Sequence, residues 1–184
     1  MGLDNRIGSK SLHAGPEYGG SCFPKDMLAF MKTVQDNDSP VRIFEAVVQV
    51  NDQRKPVMGH KVVHALNGSV RGEKVALPGL IFKPATENIK NAHSIAIAQT
   101  LIDAGTDMTV YNPEGMKLTQ EIMPTVEKPD SSYDAVKDVD ASVIVTERDA
   151  FRALDLKKLA RVMKGDVLID LRNIYNPSEV VQTG

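Results

Sequence analysis

Two periodicities divide the chain of 184 residues. Between Pro24 and Leu66 apolar side chains recur every three or four positions, as Met27, Leu28, Met31 and Val34, then as Ile43, Phe44, Val47, Val50, Val57, Met58, Val62 and Leu66. Such spacing lays an apolar stripe along one face of a helix. The first helix is predicted to begin at Pro24 and stop at "QDNDSP". The second is predicted to open with Ser39 as N-cap and Pro40 as its first helical residue, and to end at Asn67-Gly68. Pro56 and Gly59 fall inside it, so a kink or break is expected there, an interior proline costing about 3 kcal/mol.

After "GSVRGE" the period changes. "KVALPGLIF" (74–82), "DMTVYN" (107–112), "TVEK" (125–128), "ASVIVT" (141–146) and "DVLIDL" (166–171) are short runs rich in Val, Ile and Leu. Helical stretches at 92–104, 114–122, 131–138 and 155–164 lie between them, with Gly105 and Gly165 as helix stops. Strands alternating with helices require crossover connections, which give a mainly parallel, doubly wound sheet. The predicted fold class is α/β, a long helix followed by a Rossmann-like domain. The predicted organisation is a loop over 1–23, a helical segment over 24–70 suited to dimerisation, and the α/β domain over 71–184.

Composition narrows the function. A hydrophobic fraction of 42% and a charged fraction of 25% suit a folded globular core. The formal net charge of -2 offers no basic field to a nucleic acid. No apolar run reaches membrane-spanning length and no signal-peptide core opens the chain, so a cytoplasmic protein is expected. One cysteine permits no internal disulfide, and no cysteine/histidine cluster has metal-ligand spacing, so no metal is expected.

In doubly wound sheets ligands sit beyond the carboxyl ends of the strands. That rule selects Phe82 and Lys83 after the first strand, Asn112 after the second, Thr146 and Glu147 after the fourth, and Arg172 and Asn173 after the fifth. Lys83 and Arg172, cations at adjacent strand ends, form a candidate anion site. The first strand's turn, "LPGLIF", lacks GxGxxG, which argues against an independent dinucleotide site. The lone Cys22 sits just ahead of a predicted helix start, where amide donors and the helix dipole favour a thiolate. Lys25 adds positive charge, Asp26 is placed to orient or deprotonate a water, and Gly19 and Gly20 would let backbone approach a ligand. A buried structural cysteine and a peptidase nucleophile paired with His13 are the competing readings.

"RIGSKSLHAGPEYGGSCFPKD" resembles the active-site segment of the UDP-glucose 6-dehydrogenase family. The resemblance continues through "VNDQRK", "GLIFKPATENIKNAHSIAI", "YNPEGM", "VIVTERDAF" and "DLRNIYNP", matching the C-terminal portion of the family's length. It implies an NAD-dependent oxidation of a nucleotide sugar's C6 alcohol to a carboxylate by two hydride transfers, with Cys22 forming a thiohemiacetal and then a thioester. Asp26 would assist the water or base step. Tyr18, Gly19, Gly20 and Ser21 would wrap UDP-glucose or a related nucleotide sugar. Phe82, Lys83 and Arg172 would contact it, and Arg6 would reach it across a homodimer formed through the central helix. Lys25 and Lys90 would lie near NAD, whose site the family builds mostly on an N-terminal domain outside these 184 residues, so the isolated chain is expected not to turn over.

The sequence departs from the family pattern in places. Glu17 stands where glycine is usual, which is expected to bring a carboxylate into the loop around an anionic substrate. Lys90 replaces an arginine, Glu87-Asn88 a pair of acids, and Pro56 and Pro78 residues that can donate hydrogen bonds. A non-catalytic UDP-sugar-binding or dimerisation module, and a dehydrogenase of GDP-mannose or a UDP-N-acetyl sugar, remain alternatives.

Overall fold

A computed structural model describes residues 2–6, 8, 14–18, 22–80, 93–112 and 116–183, without the side chains of Cys22, Lys117 and Leu118. Helix α1 (Cys22–Gln35) and the long α2 (Arg42–Ala65) precede β1 (Lys74–Pro78). Then follow α3 (His93–Asp103), β2 (Asp107–Tyr111), α4 (Met116–Ile122), α5 (Ser132–Ala135), β3 (Ala141–Ile144), α6 (Asp149–Arg152), α7 (Leu156–Val162), β4 (Val167–Asp170) and α8 (Pro177–Val181). The strands form one parallel sheet in the order β2-β1-β3-β4. The chain steps outward from β1 to β2, then crosses to β3 on the other side, leaving a topological switch between β1 and β3.

Both faces of the sheet are covered, as the near-continuous apolar strands require. On one side Met58 and Val62 of α2 and Ile97, Ala98 and Leu101 of α3 pack with Val75, Leu77, Val110 and Val143. On the other, Ala76 meets Val136, Val139 and Leu159 of the α5–α7 side. Helix α2 approaches α3 closely at Gly59, where a β-carbon would stand 2.7 Å from Thr100 Cγ2.

Several boundaries differ from the sequence expectation for physical reasons. Helix α2 runs unbroken through Pro56 and starts at Arg42, with Val41 in the N-cap position. Ser39 does not cap it; its backbone closes the end of α1 around Asp38, whose φ is 53°. The apolar stripe of α2 also splits. Asn51, Met58, Gly59 and Val62 are buried, whereas Ile43, Val47, Val50 and Val57 face out.

The run at 125–128 makes only a single parallel bridge, Thr109 to Glu127, at the edge of β2. Pro124 and Pro129 flank it and remove backbone donors that a longer ladder would need. Pro78 closes β1, and the ladder to β3 reaches only Ala76–Ser142 while that to β2 continues to Tyr111. Gly105 ends α3 as expected, with φ of 91° and the paired return bonds of a Schellman turn. Gly165 has a different role. A β-carbon there would overlap the Asp140 carbonyl, so close backbone approach selects the glycine. Helices α6 and α8 were not expected; Asn176 caps α8 by accepting from Ser178 N, with Pro177 as its first residue.

Candidate functional site

The segment leading to Cys22 is docked onto α2 and onto the carboxyl edge of the sheet. Arg54 of α2 donates from Nε to the Pro16 carbonyl at 3.1 Å and from Nη2 to the Gly15 carbonyl at 3.2 Å. Asn51, buried on the same helix, accepts the Tyr18 amide at 3.0 Å. Asn173, just past β4, donates to the Ala14 carbonyl. Gly15 lies so tightly against Arg172 that a β-carbon would overlap the guanidinium. Four backbone groups of residues 14–18 are thereby satisfied by side chains from two other elements, which fixes the path of a segment with no secondary structure of its own.

Glu17, expected to bring a carboxylate into this loop, pairs with side chains of the neighbouring helices. Its carboxylate is 9% exposed and turns onto α2 and α3, with Oε1 3.0 Å from His93 Nδ1 and Oε2 3.6 Å from Lys55 Nζ. The other ring nitrogen of His93 meets the Val145 carbonyl at 3.1 Å. Lys55 also pairs with Asp52 at 3.1 Å, and the two acidic partners hold its ammonium above the usual lysine range against the opposing effect of burial.

Arg172 follows β4 in a turn built by Asp170. That carboxylate accepts the amides of Arg172, Ile174 and Tyr175, at 2.7 to 2.9 Å. The Tyr175 hydroxyl donates to the Phe151 carbonyl, and burial pushes its pKa up to about 12. Arg172 Nη2 lies 2.8 Å from Glu147 Oε2, so a carboxylate already balances the guanidinium. The alignment is that of a charge contact, since Glu147 Oε2 has no hydrogen-bond partner among the described residues; Arg172 Nε is buried and has none among them either. At the ends of β2 and β3 the Asn112 carboxamide and the Thr146 hydroxyl are likewise buried and have no hydrogen-bond partner among the described residues. Buried polar groups are ordinarily satisfied, so this edge holds unused hydrogen-bonding capacity.

The other sequence candidates fall as follows. Cys22 is the first residue of α1, so the helix starts two residues before the expected Pro24. Lys25 and Asp26, the fourth and fifth residues of the helix, are exposed. The Tyr18 ring packs edge-on against Phe23 at 5.2 Å, and its hydroxyl is pushed above the usual tyrosine range by burial and then by Asp52. Arg6 is exposed and paired with Asp4 at 2.7 Å rather than drawn to this edge. Gly19, Gly20, Ser21, Phe82, Lys83 and Lys90 lie outside the described residues, as do His13 and Glu87-Asn88.

Asn51, Arg54 and Lys55 were not singled out from sequence, though they lie within "VNDQRK". A usable signal existed. Asn51 stands seven and eleven positions before the buried Met58 and Val62, a polar residue on the packed face of α2.

Among the described residues no group of acidic, histidine or cysteine side chains could hold a metal ion. None of the described helices is long and apolar enough to cross a membrane.

A doubly wound parallel sheet with polar side chains gathered at its carboxyl edge is the α/β class of domain in which ligands sit beyond the strand ends. Residues 76–177 match the model of the UDP-glucose/GDP-mannose dehydrogenase family, UDP binding domain, and residues 1–53 match that family's central domain. The chain belongs to the UDP-glucose/GDP-mannose dehydrogenase family. It is 51% identical over 184 residues to a UDP-glucose 6-dehydrogenase of Rhizobium meliloti (strain 1021), covering 100% of this chain and 42% of that protein. A UDP-glucose 6-dehydrogenase of Rickettsia bellii (strain RML369-C) is 36% identical, with 43% of its length covered. The solved UDP-glucose dehydrogenase of Pyrobaculum islandicum superposes with a TM-score of 0.78 at 29% identity, covering 97% of this chain and 40% of that one. The chain thus spans about two fifths of the length of the relatives it matches.

Proposed function

We propose that the chain is the nucleotide-sugar-binding and cysteine-bearing part of a UDP-glucose 6-dehydrogenase. The observation that carries this reading is the docking of residues 14–18 against Arg172, which joins the segment leading to Cys22 to the carboxyl edge of the sheet. The unpartnered Nε of Arg172 is a donor suited to an anionic or polyhydroxylated ligand at that edge. Thr146, past β3, adds a hydroxyl, and Asn112, past β2 at the other side of the sheet, adds a donor–acceptor amide along the same carboxyl edge. The 51% identity to a UDP-glucose enzyme favours that sugar nucleotide over GDP-mannose or a UDP-N-acetyl sugar.

In the proposed reaction the C6 alcohol loses a proton and a hydride to give the aldehyde. Attack by the Cys22 thiolate, with a proton taken up by the former carbonyl oxygen, gives a thiohemiacetal; loss of a second hydride and that proton gives a thioester. Water then cleaves the C–S bond, leaving the carboxylate and the regenerated thiol. Cys22 at the start of α1 has the helix dipole to favour its anion, and Asp26, four residues further along the helix, assists the water.

NAD, when bound, would supply the hydride acceptor, one molecule for each of the two transfers. The described residues do not themselves make a site for it. The turn after β1 has no GxGxxG, and the space beside Gly79 is filled by Thr146 and Phe151. Lys25, exposed in the first turn of α1, is the described cation available to a dinucleotide held elsewhere. A second copy of the chain is the proposed partner of the exposed apolar faces of α1 and α2.

Calorimetric titration tests this reading. UDP-glucose should bind the chain, and Arg172→Ala should weaken binding at least tenfold, about 1.4 kcal/mol. Absence of binding by UDP-glucose and UDP alike would remove the nucleotide-sugar site. Tighter binding of GDP-mannose or a UDP-N-acetyl sugar would reassign the substrate.

A further inference from the structure

We propose that Glu17 and His93 form a positioning pair, with His93 as an imidazolium, that holds the segment carrying Cys22 against α3 and the end of β3. The proton count follows from the partners. Val145 offers His93 Nε2 a carbonyl, which only accepts, so that nitrogen carries hydrogen. Nδ1 faces a carboxylate oxygen at 3.0 Å, and a second proton must lie between them. Lys55 Nζ lies 3.6 Å from the other Glu17 oxygen, so the proposed arrangement is a carboxylate between two cations, with the shared proton on the ring.

The pair is charge-assisted and screened from water, with side-chain exposures of 16% for His93 and 9% for Glu17. Its charges close locally. Glu17 faces His93 and Lys55, Lys55 also faces Asp52, and the carboxylate lies at the N-terminal end of α3, where the helix dipole favours it.

Sequence position gives the pair its leverage. Glu17 precedes Tyr18, whose amide is held by Asn51, and both lie within five residues of Cys22. His93 opens α3, and Val145 lies one residue past β3. One ion pair therefore ties the cysteine segment to the helix and to the strand end that flank the proposed ligand edge. Its bearing on the reaction rests on the function proposed above; its existence does not.

Nitrogen-15 NMR of the whole 184-residue chain tests the pair directly, with His93→Gln assigning the ring signals. His93 is expected to show two protonated ring nitrogens at neutral pH, and a neutral ring in Glu17→Gln. A neutral ring in the unmodified chain would overturn the proposal. Hydrogen exchange supplies the second readout. Glu17→Gln and His93→Gln should each speed exchange of the Tyr18 amide about tenfold, the double variant no more than either alone. The Leu101 core amide should be unchanged. Equal exchange at Tyr18 in the unmodified chain and in Glu17→Gln would overturn the pair even if His93→Gln fails to fold.

The functional arm is UDP-glucose affinity, which should fall in Glu17→Gln. Unchanged affinity would refute a role at the ligand site. No affinity in the unmodified chain would instead refute the proposed function, leaving the pair to the two readouts without ligand.

Discussion

Gly15 and Arg172, 157 positions apart in sequence, are in such close contact that no side chain fits between them. The glycine belongs to the segment leading to Cys22, and the arginine sits in the turn after the last strand of the sheet. Gly15→Ala should therefore push the guanidinium off its seat beside Glu147 or lift the segment from α2. UDP-glucose affinity should fall at least tenfold while the melting temperature drops by only a few degrees, because the strain falls on the end of a long, flexible side chain rather than on backbone. Calorimetry and a thermal melt on the same sample separate the two effects.

Asp170 is the element that aims Arg172. Its carboxylate accepts three successive turn amides, and replacing it by alanine leaves them without their shared acceptor. Hydrogen bonds to a charged group contribute about 1.5–3 kcal/mol each when removed singly, and these three form one network, so a total loss of about 3 kcal/mol is expected. Denaturant unfolding of Asp170→Ala gives the stability change. Ligand titration should show weaker binding even where the variant is folded.

The start of β1 carries the acid sensitivity. Asp140 accepts from Lys164 Nζ at 2.6 Å and from the Lys74 amide at 2.8 Å, and these bonds, Lys164 first, hold its carboxyl below the ordinary value of 3.8. Glu127 is held below 4.5 chiefly by Lys74. A depressed carboxyl stabilises the fold above its unfolded-state value, and that contribution disappears as pH falls through the folded value. Stability should thus be level near neutrality and decline below about pH 4, and Asp140→Asn should flatten the decline while lowering the plateau. Urea unfolding at several pH values measures both.

Ile43, Val47, Val50 and Val57 on α2 and Leu28 on α1 present apolar surface to solvent. Phe30 and Phe44 pack on each other at 4.9 Å on the same side of the molecule. A second copy covering this surface would be disrupted by charge. Val50→Asp should convert a dimer to monomers in analytical ultracentrifugation, with little change in the far-UV spectrum. A monomer before any substitution would refute self-association through this face.

Local signals made the sheet legible. The apolar runs expected at 74–82, 107–112, 141–146 and 166–171 contain the strands Lys74–Pro78, Asp107–Tyr111, Ala141–Ile144 and Val167–Asp170, in the parallel arrangement expected of alternating elements. What misled was the edge. Residues 125–128 have strand composition, yet Pro124 and Pro129 leave room for a single bridge. Arg172 could be chosen from its place after a strand, but its neutralisation by Glu147 could not, because that contact depends on the turn after β3. The inward rotation of Glu17 was equally hidden, since its partners lie 38 and 76 positions away. Asn51 was readable in principle as a polar residue on the packed face of α2, but assigning one apolar stripe to that helix concealed it.

The most direct measurement is the alkylation rate of Cys22, the single thiol of the chain, with and without UDP-glucose. At neutral pH the rate should exceed that of a free thiol, as expected for a thiolate favoured at the start of α1, and saturating UDP-glucose should slow it at least tenfold. A rate no faster than a free thiol and indifferent to UDP-glucose would contradict a nucleophile held beside a nucleotide-sugar site.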